Sequence, residues 1–215
     1  MERPHFRARA AHWLIHRVIP VMPLILASTS AIRRAMLEQA GAVFEVVSPK
    51  VEEARLEVAY AGQDFELALA LAEAKAAEVS ARRFEDWVIG GDSVISVEGR
   101  RFAKPGSREE AAEHLRCFSG RAMRLVSAVA LARGGKVEWN HIADAVLQVR
   151  PLSEDFIQAY LDAEWPDVAY CVGVFRMEGR GVTLFNEVEG DHFTILGMPL
   201  LPLLGALREH GLMPS

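Results

Sequence analysis

Three hydroxyl side chains and two guanidinium groups fall close together in "LILASTSAIRRAML" (residues 24–37): Ser28, Thr29, Ser30, Arg33 and Arg34. They stand where an apolar stretch gives way to helical spacing. At such a junction the free backbone N–H groups and the helix dipole attract anions, and hydroxyl and guanidinium groups add donors. Ser30 is also an ordinary N-cap. The stretch alone therefore supports either a capped helix with two solvated arginines or a seat for phosphate. "GGDSV" (90–94) sets Asp92 after two glycines in an apolar run, where a carboxylate faces a cleft or sits in a turn. Lys75 shares a helical face with Ala68, Leu71 and Val79, so it either snorkels to the edge or reaches inward to a polyanion. Glu52 and Glu53 read as a solvated acidic pair. Lys104 precedes a proline and so belongs to an extended or turn segment. Glu178, in "RMEGRG", reads as a turn acid.

Other chemistries find less support. His114 and His141 lack metal-ligand spacing, and His192 lies beside Asp191 with no third partner in sequence. There is no G-x-x-x-x-G-K-[ST] run and no nucleophile elbow. Two carboxylate groups, several cations and a helix N-terminus suit metal-assisted phosphate chemistry better than acyl transfer.

The elements that must position these residues follow from periodicity. Strands are expected at 24–27 and 43–47, with a helix between them stopping at Gly41. Residues 64–83, rich in Ala, Leu, Glu and Lys, predict a long helix. Residues 87–97 predict two strand pieces around Gly90, Gly91 and Asp92, and "EGRR" (98–101) a turn. Ser107 and Glu110 form a capping box opening a helix to about Phe118. A long hairpin is expected over 122–132 and 136–149, then a helix capped by Ser153. Short β-like runs are expected over 170–186 and a closing helix over 200–210. Helices alternating with hairpins imply an α/β domain with a mixed sheet.

The chain has 215 residues, enough for one large α/β domain, and is 51% hydrophobic. Its net charge of −5 disfavours a nucleic-acid partner. Cys117 and Cys171 form neither a disulfide framework nor a zinc pattern, which suits a reducing cytoplasm. No apolar run is long enough to span a membrane. Residues 1–22 form a distinct N-terminal extension. Arg3, Arg7, Arg9 and Arg17, with three histidines, interrupt any apolar core, so it resembles a signal peptide only weakly. The domain signal runs over 23–215.

In order along the chain stand "LASTSAIRRAML", "KVEEAR", "LAEAKA", "GGDSVI", "AKPGSREEAAEHL", "FSG", "EGRGVTLFNEVEGDH" and "LGMPL". Together they resemble the Maf family of nucleotide pyrophosphatases over nearly all of residues 23–212. The resemblance implies a Maf/ITPase-like α/β fold: a mixed central β-sheet flanked by helices, with a deep nucleotide-binding cleft, usually in a homodimer. It also implies hydrolysis of nucleoside triphosphates to monophosphate and pyrophosphate with a divalent cation, Mg²⁺ or Mn²⁺. By position, Ser28, Ser30, Arg33 and Arg34 would hold phosphates, and Lys75 and Lys104 would line the same cleft. Glu53 and Asp92 would bind the metal, with Asp92 the proton acceptor. "LASTS" and "YCVGVFRMEGRGVTLF" look more like the 7-methyl-GTP branch than the dTTP/UTP branch. Ile32, Ser93 and Glu178 fall at positions that differ between branches. Ile32 and Ser93 depart from the 7-methyl-GTP pattern, which tends to carry tryptophan and glutamine there. The alternatives are a broader or dTTP/UTP-type nucleoside triphosphate pyrophosphatase, or a nucleotide-binding regulator of septum formation with little turnover.

Overall fold

The computed structural model describes residues 23–214; the expected extension at 1–22 lies outside the described residues. The chain runs β1 (Leu24–Ala27), α1 (Ala31–Gln39), β2 (Glu45–Val46), α2 (Glu53–Ala59), α3 (Asp64–Arg82), β3 (Trp87–Val97), β4 (Arg100–Phe102) and α4 (Arg108–Phe118). It continues through β5 (Ala122–Arg133), β6 (Lys136–Val149), α5 (Glu154–Glu164), β7 (Phe185–Glu189), α6 (His192–Ile195) and α7 (Leu200–Glu209). The seven strands form one sheet in the order β2-β1-β3-β5-β6-β7, with β4 pairing β3. β1 runs parallel to β2 and β3, and the other pairs are antiparallel, so the sheet is mixed.

Apolar patterning explains the layers. α3 buries Leu67, Ala68, Leu71, Ala72, Ala76 and Val79 against the sheet. The other face takes α7 through Leu200, Leu203, Ala206 and Leu207, in one cluster with Met36 and Leu37 of α1. The caps expected from sequence are made. Ser30, Ser107 and Ser153 each accept the amide N–H three residues on. The Glu110 carboxylate accepts the Gly106 amide at 2.7 Å.

Four expectations need correction. "EGRR" turns only at 98–99, because Arg100 and Arg101 already pair with β3 as part of β4. β3 is a single 11-residue strand, not two pieces, because ten of its residues pair continuously with β5. The 43–47 strand shrinks to two exposed residues at the edge of the sheet. Residues 170–184 carry 3₁₀ turns at Asp167–Tyr170 and Arg180–Leu184 rather than strands, and β structure resumes at Phe185. α2 carries no sequence signal. It buries none of its residues, so it leaves no apolar period to read.

Gly90 fixes the distance between α3 and the sheet. A Cβ there would lie 2.2 Å from the Ala72 carbonyl oxygen and 2.6 Å from the Ala76 amide nitrogen, both backbone atoms. Only hydrogen leaves room for the helix. We expect Gly90→Ala to lose about 3 kcal/mol of stability, at the upper end of overpacking costs, in urea denaturation. A loss below about 1 kcal/mol would mean that the helix can recede from the strand.

Candidate active site

Strand alternation divides the site. Gly90 and Asp92 point to one face of β3, Gly91 and Ser93 to the other. On the Asp92 side, α3 packs close enough for Lys75 to meet it. Lys75 Nζ donates to Asp92 Oδ2 at 2.9 Å and lies 2.9 Å from Glu53 Oε1. Lys75 is only 8% exposed, so it does not snorkel; its ammonium reaches inward to two carboxylates. Asp92 Oδ1 accepts the Ser93 amide at 2.8 Å, which fixes the carboxylate plane. Glu53 opens α2 and is the less buried partner, with its side chain 48% exposed.

On the Ser93 side lies the hydroxyl and guanidinium set. β1 ends at Ala27, paired with Gly90, so Ser28 to Ser30 emerge beside Asp92. Ser28 Oγ accepts the Ser30 amide at 3.1 Å, curling the segment into α1. Arg33, in the first turn of α1, donates from Nε to the Gly197 carbonyl at 2.8 Å and from Nη2 to Ser93 Oγ at 3.0 Å. Burial pulls the Arg33 pKa below its ordinary value, while the charges of Asp92 and Glu53 oppose that fall. Gly197 has φ +104°, a conformation that disfavours side chains, and its carbonyl meets Arg33.

These groups share one cleft of about 690 Å³. Its lining includes Ser28, Thr29, Ser30, Arg33, Glu53, Lys75, Asp92, Ser93 and Lys104. Leu67, Leu71, Phe102, Ala103 and Val172 give it an apolar part, and Phe102 is its one aromatic ring among the described residues. Arg101 of β4 also lines it, a cation whose place the turn-like "EGRR" does not reveal; it is tied to Asp64 and to the Tyr60 carbonyl.

Arg34 does not join Arg33. Successive helical residues point about 100° apart, and Arg34 faces solvent, 3.5 Å from Glu38. Ile32 is half-buried and outside the lining. Glu178 is exposed and also outside it. Its charge is felt at Cys171, next to the lining residue Val172. Burial and then Glu178 push that thiol up to about 11, while Arg176 and Lys104 pull it down.

Two carboxylates meeting one ammonium can also share a divalent cation. Their oxygens lie within twice 2.9 Å of each other. Hard carboxylate donors suit Mg²⁺ or Mn²⁺, which take their remaining ligands from phosphate and water. Among the described residues no group of three or more His, Cys, Asp or Glu side chains could hold an ion by itself.

Residues 23–210 match the sequence model of the Maf-like protein family. The chain belongs to this family. A Rhizobium etli protein named 7-methyl-GTP pyrophosphatase is 48% identical over 192 residues, 87% of this chain and 96% of the relative. A Sphingopyxis alaskensis protein named nucleoside triphosphate pyrophosphatase is 47% identical over 198 residues, 90% of this chain and 100% of the relative. The Staphylococcus aureus Ham1 structure aligns over 88% of this Maf-like chain and 99% of its own, with 15% identity and a TM-score of 0.43.

The two arginines separate by experiment. Arg33→Ala should weaken pyrophosphate binding at least tenfold by calorimetry, about the worth of a hydrogen bond to a charged group. Arg34→Ala should leave it within about twofold, since its exposed pair with Glu38 is worth little. Equal losses would contradict the division of the two side chains.

Proposed function

We propose that this Maf-like nucleoside triphosphate pyrophosphatase cleaves the α–β anhydride of a modified purine nucleotide, 7-methyl-GTP or a close relative. The observation that carries the reading is the single cleft in which one strand presents Asp92, held by Lys75, on one face and Ser93, bonded to Arg33, on the other. Acid–base and metal-binding groups then stand beside a set of phosphate donors.

The β- and γ-phosphates are assigned to Ser28, Ser30, Arg33 and Lys104. Asp92 orients a water toward the α-phosphorus and takes its proton. The new P–O bond forms as the bond to the bridging oxygen breaks, and pyrophosphate leaves with the electron pair. Lys75 and Arg33 stabilise the charge that develops on it. Glu53 and Asp92 would hold the Mg²⁺ or Mn²⁺ ion, which supplies Lewis-acid charge neutralisation when bound.

The base is assigned to the apolar part of the cleft, lined by Leu67, Leu71, Phe102 and Val172. Support for a 7-methylguanine base comes from the relatives' names and from Glu178, whose charge acts on Cys171 beside the lining residue Val172. A guanine edge offers N1–H and N2–H₂ as adjacent donors, and N7 methylation makes the base cationic. A carboxylate gains on both counts over the neutral amide of glutamine.

The test is a panel of canonical and modified triphosphates with Mg²⁺ or Mn²⁺, scored for pyrophosphate release. Pyrophosphate should be the first product and 7-methyl-GTP a preferred substrate; orthophosphate as first product would overturn α–β cleavage. Glu178→Gln should shift the kcat/KM ratio of 7-methyl-GTP to UTP about three- to tenfold toward UTP. That is the lower range for a charge-assisted bond, reduced because Glu178 is exposed. An unchanged ratio would remove Glu178 from base selection.

A further inference from the structure

Beside Arg33 lies a pair of hydroxyl groups whose protons can be counted: Ser93, which lines the cleft, and Ser127, buried behind it. Ser93 and Ser127 stand directly opposite each other in the β3–β5 register. Their oxygens are 2.9 Å apart. Ser127 is fully buried, with 0% exposure, and its Oγ lies 2.8 Å from the Thr194 carbonyl of α6. Ser93 Oγ lies 3.0 Å from Arg33 Nη2 and 3.2 Å from the Gly197 carbonyl. Three of these contacts require a hydroxyl proton: Ser93–Ser127, Ser127–Thr194 and Ser93–Gly197. Two serines supply only two protons.

The distances decide where the protons go. Two oxygens 2.8 Å apart repel unless a proton lies between them, and a carbonyl has none, so Ser127 must donate to Thr194. Its single proton is then spent. The 2.9 Å contact between the hydroxyls must carry the Ser93 proton. The longer 3.2 Å contact to Gly197 is left without one, and that carbonyl is already satisfied by Arg33 Nε at 2.8 Å. Ser93 consequently offers only lone pairs to Arg33, and a guanidinium can only donate.

We propose that Ser127 is a positioning residue for phosphate binding: with Ser93 it forms a one-directional hydrogen-bond relay, Arg33 to Ser93 to Ser127 to the Thr194 carbonyl, that locks the guanidinium plane of Arg33. Each donor polarises the next, so the chain holds more firmly than its separate bonds. Nε and one edge of Nη2 are committed to Gly197 and Ser93. Nη1 has no partner among the described residues and remains for substrate oxygens. Ser93, which falls at a position that differs between branches, is also the first link of this relay. The inference rests on the proposed role of Arg33 in binding phosphate.

The test is calorimetric binding of inorganic pyrophosphate, with thermal melting as the control for folding. Ser127→Ala and Ser93→Ala should each weaken binding about tenfold, the lower end for a hydrogen bond to a charged group. Neither should weaken it further in an Arg33→Ala background. In ¹⁵N spectra the Nη resonances of Arg33 should be separate in the unaltered protein and merge in both serine variants as rotation of the guanidinium is freed. A structural role for the serines would not move that signal. If Ser127→Ala fails to fold, Ser93→Ala leaves the Ser127–Thr194 bond in place and carries the same test. Unchanged affinity in the folded serine variants, or an equal further loss without Arg33, overturns the relay while leaving Arg33 on phosphate. Absence of pyrophosphate binding by the unaltered protein overturns the phosphate role of Arg33, and the relay with it.

Discussion

The ammonium of Lys75, held 2.9 Å from both Glu53 and Asp92, is the contact on which the site depends. Withdrawing a lysine from water costs several kcal/mol, and the cost is recovered only if opposite charges are close and well aimed. Two carboxylates meet that need, and meeting it imposes conditions elsewhere. α3 must approach β3 closely enough for Lys75 to reach Asp92, which is why Gly90 faces Ala72 and Ala76 with no side chain of its own. α2 buries none of its own residues, yet Lys75 draws its first residue, Glu53, toward the cleft. A second tie runs from Arg101 on β4 to Asp64 and the Tyr60 carbonyl, where α2 hands over to α3.

β3 then distributes the chemistry. Because side chains alternate along a strand, neighbours Asp92 and Ser93 serve different halves of the site. The Asp92 face carries the groups suited to moving a proton and sharing a cation. The Ser93 face carries the groups that hold Arg33. Both halves open on the cleft of about 690 Å³ because parallel β1 ends beside Gly90 and delivers Ser28 to Ser30 there. Any divalent ion drawn to Glu53 and Asp92 would meet the Lys75 ammonium already placed between them.

Much of this was legible in sequence, for stated physical reasons. The α3 period left Lys75 alone on an apolar face, where a charge must either snorkel to the edge or find partners. Ser30, Ser107 and Ser153 announced their helices because unpaired N–H groups need acceptors. Local pattern did not show which of two adjacent arginines faces the cleft. That depends on helix rotation, which Met36 and Leu37 set by burial. Nor did it show α2, which has no buried residue, or the 3₁₀ turns of 167–184, whose glycines and apolar residues read as broken strands. Ser127 and Gly197 were invisible for another reason. A serine inside an apolar strand and a glycine after a leucine carry no chemistry until the sheet register brings them to Ser93 and Arg33.

The central claim is that the Asp92 carboxylate, held by Lys75, handles the attacking water. Turnover of a triphosphate by Asp92→Asn, read as pyrophosphate release and paired with thermal melting, tests it most directly. The amide keeps the shape and removes the charge. The account predicts a folded protein whose turnover falls at least about a hundredfold, the low end for removal of a general base. Wild-type-like turnover by a folded Asp92→Asn protein would contradict it.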